Sequence, residues 1–278
     1  MKMNKDSRMD LILRLRSSRT IRRIFHPFLK LRVEIFRRRY FAGGAAKKLQ
    51  KLKGAYQGQR CFIIGNGPSL TEYDVRKLEG EYTFTMNRIF PMIARTGFSP
   101  SFYVAVDEDF IRREQEQIRR LDCPFKFINS SACPRSIPKG VYPIFIASDV
   151  PVDKAGYVKK TISTRVEQGF SLSYSVSCYC IELALYMGFT TIYLLGIDHN
   201  FPKMADSRGR TIRNPEVKEH YEGGSYEDGS VIFYRDAVTS CYEAYAKYAA
   251  EHGISIVNLT RGGKLEVFPR EDFERIVP

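Results

Sequence analysis

A chain of 278 residues is long enough for a substantial core, and it has no apolar run near the ~20 residues that cross a bilayer. Its formal net charge of +13 suggests a polyanion partner until it is divided along the chain: residues 1–60 hold 18 Lys/Arg against 3 acids, and the remainder 26 against 28. The body is nearly neutral, which argues against a nucleic-acid groove, and no nucleic-acid partner is expected. Six scattered cysteines form no C-x-x-C zinc pattern and read as reduced core residues. With no cleavable leader, the expected location is cytoplasmic.

The basic segment, residues 1–53, mixes cations with large apolar residues. Ile21, Ile24, Phe25, Phe28 and Leu29 share one helical face, with Arg19, Arg22, Arg23 and Lys30 around it. Such an arm suits an anionic membrane surface, here the inner face of the cell membrane, each cation near the headgroups adding about 1 kcal/mol. The alternatives are an oligomerisation helix, which would make the protein a homo-oligomer, a packing helix, or an RNA-binding tail.

From Gly54 to Pro278 the pattern is that of one α/β domain, doubly wound around a mostly parallel sheet. Cys61 to Ile64 are consecutive apolar residues, as in a strand buried on both faces. They break into Gly65-Asn66-Gly67-Pro68-Ser69-Leu70, where the glycines permit unusual backbone angles. Ser69 and Glu72 have capping-box spacing, so a helix is expected from Leu70 with its N–H groups facing the loop as an anion site. The dinucleotide fingerprint fails, because Leu70 stands where a third Gly belongs, and no Walker Lys-Ser/Thr pair follows.

Tyr82 to Met86 reads as the next strand, ending in Asn87, and Ser101 to Val106 as another, ending in Asp107, Glu108 and Asp109. These acids either face a ligand or cap the following helix, Phe110 to Leu121. Phe125 to Asn129 and Val141 to Ile146 are short strands, and Asp149 to Gln168 is irregular and basic. A helix from Ser173 to Met187 starts among Ser171, Ser173, Ser175 and Ser177, a second set of anion contacts. Thr191 to Leu195 is a buried strand running into Gly196-Ile197-Asp198-His199-Asn200. A polar stretch holding His220-Tyr221-Glu222-Gly223-Gly224 precedes a helix, Tyr234 to His252, and a last strand, Ser255 to Asn258. In open parallel sheets ligands sit beyond the carboxyl ends of the strands, so Gly65 to Gly67, Asn87 and Asp107 should share one crevice.

The loop Ile64 to Leu70, Asn87, Asp107, the run Tyr186-Met187-Gly188-Phe189 to Leu195-Gly196-Ile197-Asp198, and His220-Tyr221 together resemble the MptE-like superfamily. That grouping is similar to the bacterial sialyltransferases of glycosyltransferase family 42, to flagellin nonulosonic-acid transferases and to archaeal 6-hydroxymethylpterin diphosphokinases. The resemblance spans roughly Gly58 to Phe268 and implies a Rossmann-like fold. It implies that Gly65, Asn66, Gly67, Ser69, Asn87, Ser175, Ser177 and Asp198 hold a CMP-sugar donor, with Asp107 replacing a family Asn. The acceptor would be a glycan or lipid-linked glycan. In the family pattern the catalytic base is the second His of H-Y-x-G-H, where this chain has Gly224, and the Tyr that steadies the leaving phosphate is matched by Asn200.

Transfer of a sialic-acid-like sugar needs donors for the departing phosphate, a base for the acceptor hydroxyl and shelter for a cation-like transition state, and no cofactor is expected for it. Among the four histidines His199 and His220 remain as base candidates, since His26 lies in the arm and His252 at a helix C-terminus. Tyr221 is a candidate phosphate contact. The alternative, pyrophosphoryl transfer to a pterin, needs Mg²⁺ with ATP or GTP, and Asp107, Asp109 and Asp198 are the ligands it would use. A non-catalytic membrane-attached nucleotide-binding module is the second alternative.

Overall fold

The computed structural model describes residues 31, 34–133, 138–147, 160–201, 203–205, 211–213, 217 and 234–278. Residues 1–30, which carry most of the basic arm, and His220, Tyr221 and Gly224 lie outside the described residues.

The sheet has seven parallel strands: β1 (Arg60–Ile64), β2 (Thr83–Met86), β3 (Phe102–Ala105), β4 (Phe125–Asn129), β5 (Val141–Ile144), β8 (Thr191–Leu195) and β11 (Ser255–Asn258). Short pairs set apart from it are β6 (Ile146–Ala147) with β7 (Phe170–Ser171), and β9 (Lys203–Ala205) with β10 (Thr211–Arg213). Helices in chain order are α1 (Ala45–Gln50), α2 (Glu72–Lys77), α3 (Phe90–Thr96), α4 (Glu108–Arg113), α5 (Gln115–Arg120), α6 (Val176–Met187), α7 (Arg235–Glu251) and α8 (Phe273–Ile276).

Side chains alternate across the strands, and both faces of the sheet are covered. Cys61, Ile63, Phe102 and Val104 enter the core beneath α6 and α7, while Phe62, Ile64, Tyr103 and Ala105 enter the core beneath α2 to α5. This double burial is why the central strands read as unbroken apolar runs. The fold is the doubly wound α/β arrangement expected.

The strand order is β11-β8-β1-β2-β3-β4-β5. The chain winds outward from β1 to β5, then returns to lay β8 on the other side of β1. The connections leaving β1 and β8 therefore run to opposite faces of the sheet, and the strand ends at such a switch point are the natural ligand position of an open parallel sheet.

Three expectations are corrected. The helix after the Gly-rich loop is α2, capped by Thr71, whose side chain and that of Asp74 form the reciprocal capping box; Ser69 and Glu72 do not. The single helix expected over Phe110 to Leu121 is two, α4 and α5, meeting at Glu114. The segment assigned to the arm as far as residue 53 is packed on the body near its end, with Tyr40, Ala45, Leu49 and Leu52 all buried. Leu49 and Leu52 belong to the main core cluster, so the packed body starts ahead of Gly54. Among the described residues no helix is long and apolar enough to cross a membrane.

Candidate functional site

A cleft of about 520 Å³ opens at the carboxyl ends of β1, β2, β3 and β8. Gly65, Asn66, Gly67, Asn87, Asp107, Ser175, Ser177, Asp198 and His199 all line it. Ser69 stands behind the loop, its hydroxyl donating to Asp198 Oδ2 at 2.8 Å.

The glycines serve a different purpose from the one expected. Gly65 and Gly67 have no positive φ. What they provide is close approach, because a Cβ at Gly65 would fall 2.4 Å from the Gly196 carbonyl oxygen and one at Gly67 would fall 1.8 Å from Asp198 Oδ2. The loops after β1 and β8 are zipped by Gly65 N–H to Leu195 O at 2.8 Å and Gly67 N–H to Gly196 O at 2.9 Å. A third loop, after β11, closes the set: Thr260 Oγ1 accepts from Ile197 N at 3.0 Å, and Lys264 N–H donates to Asp198 O at 2.7 Å. Asp198 is thus a keystone of three loops, and burial raises the pKa of its carboxyl while the Ser69 hydrogen bond opposes the rise.

Asn66 bridges to the neighbouring strand end, its Nδ2 donating to Met86 O at 2.9 Å. Asn87 adopts a left-handed backbone, φ 46, held by Tyr103 Oη–H to its carbonyl at 3.0 Å. A non-glycine residue in that region is strained and recurs at functional sites. The amide oxygens of both asparagines are buried and without a partner. Buried polar atoms are almost always satisfied, so these two acceptors call for donors from outside the chain, an ordered water or a bound molecule.

Ser175 and Ser177 sit at the start of α6, a 12-residue helix. Ser175 makes no side-chain cap; its hydroxyl meets Ser177 Oγ at 2.7 Å, which meets Tyr242 Oη at 2.6 Å. The N-terminus of α6 therefore keeps its dipole and N–H groups open toward the cleft, whereas that of α2 is closed by its own capping box. Of the two helix starts expected to offer anion contacts, only that of α6 lacks a side-chain cap.

His199 is 6% exposed and, like Asn87, left-handed, with φ 52. Its Nε2 lies 2.8 Å from Thr239 Oγ1, and its Nδ1 is buried and unpartnered. Burial, followed by the nearby Arg235, pulls its pKa down to about 4, while Asp236 opposes the shift. The imidazole is neutral at physiological pH.

Each of the three aspartates expected near the cleft already has a partner within the chain. Asp107 Oδ1 caps α4 by accepting from Phe110 N at 2.6 Å, Asp109 pairs with Arg112 at 3.0 Å, and Asp198 takes the Ser69 hydroxyl. Among the described residues no group of three His, Cys, Asp or Glu comes together as a metal site. The acids expected as magnesium ligands serve as caps and braces.

Four further residues matter that the sequence did not single out. Asn129, at the end of β4, lines the cleft and donates to Val106 O at 2.8 Å, repeating the strand-end bridge of Asn66. Its position after an apolar strand was a usable signal. Arg113 also lines the cleft. Thr239 and Tyr242 on α7 reach the site from a helix that reads in sequence as an ordinary amphipathic one, and nothing local marks them.

A doubly wound sheet with an amide- and hydroxyl-lined cleft at its switch point defines a Rossmann-like ligand-binding domain. The chain belongs to the 6-hydroxymethylpterin diphosphokinase MptE-like family, whose profile matches residues 41–204. Among curated proteins no sequence match is found. Among solved structures, the MAf glycosyltransferase from Magnetospirillum magneticum AMB-1 is similar with a TM-score of 0.48 and 12% identity, over 84% of this chain and 38% of that one. The chain thus spans well under half the length of that enzyme, and a likeness so distant bears on neither substrate nor chemistry.

Proposed function

We propose that this protein is a glycosyltransferase that moves a sialic-acid-like, nonulosonic sugar from a CMP-sugar donor to a surface-glycan acceptor at the cytoplasmic face of the membrane. The observation that carries the reading is the character of the lining: amide groups of Asn66 and Asn87 at the strand ends and serine hydroxyls at a helix start without a side-chain cap. Such a lining suits a base, a sugar and a single phosphate better than a metal-bound triphosphate. In the reaction the bond from the sugar's anomeric carbon to the phosphate oxygen breaks, and CMP leaves against the N-terminus of α6. The acceptor oxygen forms the new bond while its proton passes to a base, His199 or His220.

The family's description favours a second reading, magnesium-dependent pyrophosphoryl transfer from ATP or GTP to a pterin. A non-catalytic nucleotide-binding role is the third. Calorimetric titration of CMP, CDP, ATP and GTP, each with and without Mg²⁺, separates them. We expect cytidine nucleotides to bind without Mg²⁺; magnesium-dependent binding of ATP or GTP, with no response to CMP, would reverse the assignment. Binding of CMP with no transfer of sugar from a CMP-sugar donor to any glycan offered would point to the third reading.

The arm supplies the location, with 18 Lys/Arg against 3 acids in residues 1–60. Full-length protein should sediment with phosphatidylglycerol-containing vesicles at low salt and be released at high salt, since exposed charges are screened beyond a Debye length of about 8 Å at physiological ionic strength. Retention on uncharged phosphatidylcholine vesicles to the same extent would remove the electrostatic basis of this placement.

A further inference from the structure

We propose that Thr239 is a positioning residue that fixes the tautomer of His199, placing the imidazole proton on Nε2 and the free lone pair on Nδ1. The inference rests on the reading of His199 as the base and extends it to a residue outside the cleft lining. Thr239 Oγ1 donates to Arg235 O at 3.0 Å, a bond back to the preceding turn of α7. A hydroxyl has one proton, so toward His199 Nε2, 2.8 Å away, the same oxygen can only accept. Nε2 must then carry the hydrogen. Nδ1, buried without a partner, is left as the acceptor nitrogen.

The ring has little freedom to choose otherwise. It stands nearly edge-on between Phe201, 5.6 Å away at 80°, and Tyr242, 5.6 Å away at 70°. Its backbone is held in a conformation with φ 52 that few non-glycine residues adopt. Thr239 and His199 also share the wall of a second hollow with Glu243, Lys264 and Glu266. The ionisable groups around the ring are therefore Arg235 and Asp236 at the start of α7, Tyr242 and Glu243 further along it, Asp198 beside it in the chain, and Lys264 and Glu266 beyond the hollow. Arg235 disfavours a second proton on the ring and Asp236 favours it; burial decides for the neutral form.

The test reads the imidazole directly in the full chain. With ¹⁵N-labelled histidine, and the His199 signals assigned by their loss in His199→Gln, neutral wild-type protein should show a protonated Nε2 and an unprotonated Nδ1. Thr239→Val removes the acceptor while keeping the shape, and should lower the preference for the Nε2–H form by about tenfold, the weight of one buried hydrogen bond. Thr239→Ser should restore it. A wild-type spectrum with the proton on Nδ1, or a tautomer ratio unchanged in Thr239→Val, overturns the proposal, and the wild-type measurement stands even if the valine variant does not fold. Because no ligand enters the experiment, its outcome is separable from that of the CMP titration.

Discussion

Replacing Lys160 with methionine should destabilise the protein by about 3–5 kcal/mol, the loss expected when one partner of a dry ion pair is removed and the other stays buried. Lys160 and Glu182 pair with both side chains wholly out of solvent. Glu182 lies within α6 and is saturated: besides Lys160 it accepts from Ser163 N at 2.9 Å and Tyr245 Oη at 2.8 Å. Lys160 Nζ also donates to Ser171 O at 3.2 Å and lies over the rings of Tyr179 and Tyr245. Without the ammonium, a carboxylate with no water to solvate it keeps only two neutral donors, Ser163 N and Tyr245 Oη. The double variant Lys160→Met, Glu182→Gln keeps an acceptor for Ser163 and Tyr245 with no charge to solvate, and should recover much of the loss. Urea unfolding measures both, as a shift in midpoint at constant slope. A Lys160→Met midpoint equal to that of the wild type would mean that the pair carries no such weight. The consequence reaches the site, because Lys160 ties the chain at Ser171 just ahead of Ser173 to Ser177, the cleft wall at the start of α6.

The strands were legible because they are buried on both faces. Cys61 to Ile64 and Thr191 to Leu195 show in the sequence as short apolar runs followed by glycine, and the alternation of strand and helix marks a parallel sheet, while its strand order and switch point appear only in the structure. The cleft was legible for the same reason, since polar residues directly after such strands have only its rim to occupy. What was not legible depended on partners distant in sequence. Ser69 and Thr71 both carry hydroxyls with an acid three residues on, and local rules do not choose between them; the choice is made by Asp198, 129 residues away, which takes the Ser69 hydroxyl. The need for Gly65 and Gly67 likewise comes from the backbone of Gly196 and the side chain of Asp198 rather than from their own torsions. Leu49 and Leu52 looked like a continuation of the arm's apolar face, and only the packed core shows what they cover.

His199→Gln should lower sugar transfer from a CMP-sugar donor by about 10²–10⁴-fold in kcat, the usual worth of a positioned base, with a much smaller change in KM. Glutamine keeps a polar group near Thr239 but offers no basic nitrogen, so the loss falls on proton acceptance rather than on packing. His220→Gln is the necessary companion: a full loss there, with His199→Gln active, would hand the role of base to His220. A second readout needs no substrate. The His199 pKa is about 4 in the folded chain against 6.5 for the free side chain, so between those values the unfolded state holds the proton and the folded state does not. Stability then falls as pH drops from about 6.5 to about 4, by on the order of 3 kcal/mol from this group alone. Asp198 works in the opposite sense, because a carboxyl whose pKa is raised by folding favours the folded state on acidification. The difference between wild type and His199→Gln isolates the histidine. Thermal melts across pH 4 to 7 should show the variant losing less stability toward acid than the wild type, and parallel curves would mean that His199 is solvated and free to ionise rather than held as a neutral base.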